Sequence, residues 1–227
     1  MDRKLSVLTF TVLMLSATGL FAQSERKPEF ALGYSNLQAQ GLPDRNNLTG
    51  IFGTDFFNNR TTLHGFDAEG TIFPFERFGI TGDFSFNRDS RSSDFLAGTN
   101  SLTTDIFYFM GGPSFTFGHS SRVQPFARFL AGGAHTRFNV KAQESLFGAN
   151  LTSSFSTGTT DFALGAGGGL DLRVSDNFKV RLFQVDYTPI FLRDQSISTL
   201  GLAGAIQPFT LNGQRMDNVR FSVGVVF

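Results

Sequence analysis

The sequence predicts an all-β fold, an eight-stranded antiparallel up-and-down transmembrane β-barrel. Three observations carry this. Apolar residues recur with a period of two in eight separate stretches. Phenylalanine is used 29 times in 227 residues and falls mainly on those alternating positions. The connections between stretches alternate short and long. A barrel strand shows lipid on one face and the lumen on the other, so its mean hydropathy averages towards zero. The value of −0.03 fits that pattern and does not mark the chain as water-soluble.

The first stretch is Phe30 to Tyr34, with Phe30, Leu32 and Tyr34 on one face. The second runs from His64 to Phe73 and the third from Gly79 to Asn87. The fourth, Thr104 to Phe117, sets Phe107, Phe109, Phe115 and Phe117 opposite Thr104, Tyr108, Ser114 and Thr116. The fifth is Pro125 to Phe138 and the sixth Asp161 to Val174. The seventh is Phe178 to Leu192 and the eighth Val219 to Phe227. All but the short first stretch reach the roughly 9–11 residues that cross a bilayer as a tilted strand. Short turns are expected at Pro74–Arg77, Gly118–Arg122 and Ser175–Asn177. Long loops are expected at 38–63, 88–103, 140–160 and 193–218. With the N-terminus on the periplasmic side, an even strand count puts all short turns there too.

The N-terminus reads as an export signal. Asp2-Arg3-Lys4 precedes an apolar run from Leu5 to Leu15 and small residues ending at Ala22. This is the order of a cleaved secretory segment. Residues 1–22 are therefore expected to be a signal peptide and residues 23–227 a single barrel domain. The chain has no cysteine, so it offers neither a disulfide framework nor a thiolate metal site. Nineteen basic and nineteen acidic residues leave no net charge and no basic stripe for nucleic acid.

Charged residues on the polar faces are the main candidates for a site. Asp67, Glu69, Asp83, Arg128, Asp171, Arg173, Asp186 and Arg220 all project to the predicted lumen. An eight-stranded barrel is just wide enough for side chains to fill it. Buried charges there must pair, because an unpaired one is very costly. Arg181 joins them on one condition. Strict alternation from Gln184 and Asp186 would turn it to lipid, so a β-bulge is expected at Leu182-Phe183.

Other motifs are weaker. Gly165 to Gly169 lacks the last glycine of a dinucleotide loop, since Leu170 stands there, and no helix follows. His64, His119 and His135 could suggest a lipid-modifying barrel enzyme, but His119 precedes Ser120 and Ser121 in a predicted periplasmic turn, and neither His64 nor His135, near the outer rim, has a serine two residues on. No catalytic residue, cofactor or metal is assigned. Leu200 to Ile206 and Ile51, Phe52, Phe56 and Phe57 form apolar material in two outer loops, expected to pack as a cap.

Four segments carry a family resemblance: Pro125 to His135, Ala163 to Val174, Gln184 to Tyr187, and Asn218 to Phe227. They resemble bacterial outer-membrane β-barrel proteins of the OmpA-like transmembrane-domain class. The resemblance implies residence in the outer membrane among its lipids and lipopolysaccharide, as a monomer, with no common catalytic site. A last strand ending in Phe227 is similar to the signal read by the barrel assembly machinery. The long apolar last loop and the lack of a peptidoglycan-binding domain after strand eight depart from that pattern. The expected role is structural or interactive, through long outer loops above a salt-bridged polar lumen. A narrow channel for small solutes or ions is the alternative, and a lipid-modifying enzyme a lesser one. A lipocalin-like soluble barrel would need polar outward faces, which the phenylalanines oppose.

Overall fold

The computed structural model describes residues 26–40, 60–95, 98–118, 121–146, 149–192, 195–200, 206–211 and 215–227. Residues 1–22, His119 and the side chains of the expected apolar cap lie outside them.

The described strands are β1 (Glu29–Gln40), β2 (Arg60–Ile72), β3 (Phe78–Phe95), β4 (Gly98–Thr116), β5 (Val123–Leu146), β6 (Ala149–Ser175), β7 (Phe178–Tyr187), β8 (Ile190–Phe191), β9 (Gln195–Leu200), β10 (Ile206–Leu211), β11 (Arg215–Met216) and β12 (Val219–Val226). β1 to β7 pair in sequence, and β12 pairs with both β7 and β1, so the ring closes with eight strands. Every pairing is antiparallel. At the seam the Phe30 amide donates to the Phe227 carbonyl at 3.0 Å, and the Phe227 amide donates back at 2.8 Å. Closure leaves no strand edge open inside the membrane, where an unpaired backbone group would cost several kcal/mol.

Alternation sorts the side chains as a barrel requires. Phe30, Leu32, Phe66, Phe109, Phe115, Phe129, Phe162, Phe221 and Val223 face outward and are exposed. So large an apolar surface on a protein in water would mark a contact face; here it runs around the wall. Rings stack across strands within it, with Phe86 and Phe107 4.7 Å apart and Phe84 and Phe109 5.1 Å apart. The outward apolar run ends on a polar rim. Tyr34 meets His64 there, Arg88 meets Asp105, and the His135 ring meets the Thr160 hydroxyl at 2.8 Å. His64 on β2 and His135 on β5 are separated by β3 and β4 and are not brought together. The hydrogen bond from Tyr187, followed by that from Arg215, holds the Asp217 carboxyl of this rim below its usual range.

The three short turns lie at one end, called here the turn end. In the β4–β5 turn Gly118 has φ +67°, a left-handed conformation that favours glycine. The other end differs from the sequence expectation. The described residues of the expected loops 88–103 and 140–160 are strand. β3 and β4 pair up to Phe95 and Gly98, and β5 and β6 up to Leu146 and Ala149, each in one unbroken register. β6 reaches 27 residues, far beyond the roughly 9–11 that span a bilayer. The physical reason is that above the membrane neither face needs to be apolar. The period-two signal fades while the backbone pairing simply continues.

The bulge in β7 is present. Ser222 pairs with Gln184 and Gly224 with Arg181, so Leu182 and Phe183 together oppose Val223 alone. Both are exposed outward, while Lys179, Arg181, Gln184 and Asp186 are buried inward.

Candidate functional site in the barrel lumen

The lumen is filled in floors. At the turn end, Arg26 lies over the Phe73 ring at 3.4 Å and bonds Glu29 at 2.8 Å, and Lys179 bonds the same Glu29 at 2.6 Å.

Above this lies the charge network. Arg128 from β5 grips Asp186 of β7 with two hydrogen bonds, at 3.0 and 2.7 Å, and reaches Glu69 of β2. Arg220 from β12 grips Asp83 of β3 in the same way, at 3.0 and 2.8 Å, and also donates to Asp186 at 3.1 Å and Ser85 at 2.6 Å. Arg181 of β7 pairs with Asp171 of β6 at 2.9 Å and with Glu69 at 2.6 Å. Gln184 links Arg181 to Asp186. Two-pronged guanidinium–carboxylate pairs of this kind are among the stronger polar contacts. Strands on opposite sides of the barrel are thus tied through its interior. Glu69, Asp83, Arg128, Arg181, Asp186 and Arg220 are all buried.

Two candidates sit differently. Asp67 faces the lumen and is 2% exposed, yet its Oδ1 has no hydrogen-bond partner among the described residues. That oxygen lies 2.8 Å from where a Cβ on Gly33 would stand. Arg173 lies towards the turn end, opposite Lys179 in the β6–β7 ladder. The glycine run of β6 finds its explanation here. A Cβ on Gly167 would stand 2.4 Å from Asp186 Oδ1, and one on Gly169 would stand 2.9 Å from the Phe126 ring. These glycines make room for the network, as glycine in a strand often does for a close approach.

The next floor corrects the sequence reading of a polar lumen. Leu37, Leu63, Ile106, Tyr108, Met110, Leu130, Ala163, Ile190 and Met216 form one buried apolar cluster inside the barrel. Tyr108 of β4 crosses to the far wall. Its hydroxyl donates to the Thr188 carbonyl at 3.3 Å and accepts from Asn218 Nδ2 at 2.8 Å. Each cluster residue lies on the face that its strand's parity assigns to the lumen. Reading the polar face from its charges alone passed over Leu37, Leu63, Ile106 and Leu130. Counting by twos from Asp67 to Leu63, or from Arg128 to Leu130, finds them. Among the described residues no group of His, Asp or Glu is placed to hold a metal ion.

Comparison with known proteins agrees with this architecture. The profile of the outer membrane protein beta-barrel domain matches residues 8–227. Ail, the attachment invasion locus protein of Yersinia pestis, solved with the heparin analogue sucrose octasulfate, has a similar structure. The TM-score is 0.51 at 16% identity, over 88% of this chain and 97% of that one. OprG from Pseudomonas aeruginosa gives 0.47 at 12% identity, covering 88% and 93%. Neisserial surface protein A gives 0.40 at 11% identity, covering 88% and 95%. No curated protein matches significantly in sequence. With its closed eight-stranded ring and outward aromatic wall, the chain belongs to the outer membrane protein beta-barrel domain family and sits in the cell outer membrane.

Proposed function

We propose that the protein is a closed stem: a rigid barrel that holds β-hairpins outside the cell, with a structural or interactive role and neither a transport path nor a catalytic one. The single observation that carries this reading is the stacking of the charge network beneath the Tyr108–Leu130 apolar cluster, which together occupy the lumen. An ion would have to part guanidinium–carboxylate pairs and then enter an apolar layer, where an isolated charge costs far more than a paired one. In this reading the set Asp67, Glu69, Asp83, Arg128, Asp171, Arg173, Arg181, Asp186 and Arg220 is a structural plug. The turn end faces the periplasm, residues 1–22 are removed on export, and Phe227 is presented to the barrel assembly machinery. The barrel works as a monomer among outer-membrane lipids and lipopolysaccharide.

Orientation is tested with single cysteines, since the chain has none of its own. An Ala149→Cys variant at the β5–β6 hairpin should react with a membrane-impermeant maleimide on intact cells. An Asp176→Cys variant in the β6–β7 turn should react only after the outer membrane is opened. Labelling of Asp176→Cys on intact cells, with Ala149→Cys silent, would reverse the assignment.

A further inference from the structure

Beyond the membrane wall the hairpins leave two long strand edges that the barrel does not pair. On β3, pairing with β2 stops at Arg88, so among the described residues Asp89–Phe95 pairs only with β4. On β6, pairing with β8 stops at Phe162, so among the described residues Ala149–Asp161 pairs only with β5. The two edges differ in chemistry. Residues 89–95 include Asp89, Arg91 and Asp94, and Asp89 and Arg91 pair with each other. Residues 149–160 read ANLTSSFSTGTT, with neither a charge nor a proline. Natural proteins blunt exposed edges with charge, proline or bulges, or else cover them. The β3 edge is blunted by its own charges. Above Asp161 the β6 edge has none of these devices, and its pairing with β5 is free of bulges.

A cover stands next in the chain. β8 pairs with β6 through Phe191–Phe162 and Ile190–Ala163, in the same register as Tyr187–Ala166 below it. β9 follows β8 after residues 192–194. The β9–β10 hairpin continues the register of the β8–β11 and β7–β12 pairs, so β7, β8 and β9 run as one line. Extending the β6–β8 register upward sets Gly158 against Gln195, Thr157 against Ser196 and Ser153 against Leu200. β9 instead pairs only with β10 among the described residues.

We propose that the free upper edge of β6 is an interaction edge whose resident occupant is β9. The strand zips onto β6 in the continued register, and the seam above Phe162 and Phe191 opens and closes. Closed, the seam protects the uncharged edge and carries the barrel wall upward. Open, it offers about twelve residues of unpaired backbone to an extended segment. This inference holds whichever way the barrel points.

The chain's lack of cysteine allows a clean test. Thr157→Cys with Ser196→Cys is the in-register pair, and Thr157→Cys with Leu200→Cys is offset by four residues. Both are refolded full-length into lipid and treated with copper phenanthroline. The in-register pair should cross-link about tenfold faster, because a disulfide needs Cα atoms within about 7 Å. In the unmodified chain, amides of 153–160 should exchange more slowly than those of the β3 edge. Cross-linking of neither pair, or of both at one rate, overturns the proposal, as does an unprotected β6 edge by exchange.

Discussion

Arg220 is fully buried and makes two hydrogen bonds to Asp83 while also reaching Asp186 and Ser85. Removing one member of such a group strands the others. Arg220→Met should therefore cost about 3–5 kcal/mol of barrel stability, read by urea unfolding in lipid vesicles. A loss below about 1 kcal/mol would show the pairs to be dispensable. Neutralising the stranded partner as well, in Arg220→Met with Asp83→Asn, should recover part of the loss. Tyr108→Phe tests the floor above. It deletes the hydroxyl that meets Thr188 and Asn218 and leaves the buried Asn218 amide without that acceptor. The expected cost is about 1–3 kcal/mol. The charged floor was legible in the sequence because a charge in an otherwise alternating apolar strand can face only the lumen. Which carboxylate meets which arginine was not legible. Those pairs join strands on different sides of the ring, and pairing across a lumen depends on tilt and stagger. The apolar floor was obscured for a different reason: a leucine on the lumen face looks like one on the lipid face unless its parity is counted.

At the scale of the element, the β7 bulge shows how a strand reconciles two demands. Gln184 and Asp186 must point inward, and so must Arg181, three residues before Gln184. The extra residue at Leu182-Phe183 makes this possible. Deleting Leu182 should leave a regular strand, with Arg181 still inside and the pairings on both sides intact. That variant should refold, with its unboiled form migrating differently from the boiled form. Deleting Val223 from β12, which has no residue to spare, should fail. It would turn Arg220 or its neighbours to lipid, at about 2–4 kcal/mol for an arginine at the midplane. Equal refolding yields for the two deletions would mean that register is not set by facing. The bulge was readable from sequence because a misplaced arginine is expensive. The hairpin extensions of β3 to β6 were not, because their Ser- and Thr-rich segments alternate nothing, and their strand character is inherited from pairing that begins in the membrane.

For the whole molecule, closure and filling act together. The ring pairs each wall strand with two neighbours, and the lumen floors tie its opposite sides, so the barrel should resist detergent as one unit. Unboiled and boiled samples should therefore run differently on SDS gels, the folded form being a single cooperative species. Identical migration, with random-coil circular dichroism in detergent, would contradict the fold itself. Topology was the most legible level. Eight alternating stretches and alternating connection lengths define an up-and-down barrel without knowledge of any single contact.

In the proposed function the lumen is shut by two unlike plugs, one ionic and one apolar. Planar-bilayer recording of the purified, refolded protein tests it most directly. No unitary current steps are expected under an applied potential, in the unmodified protein as in Tyr108→Phe. Steady, reproducible unitary steps from the unmodified protein, scaling with salt concentration, would contradict it and make the lumen a channel.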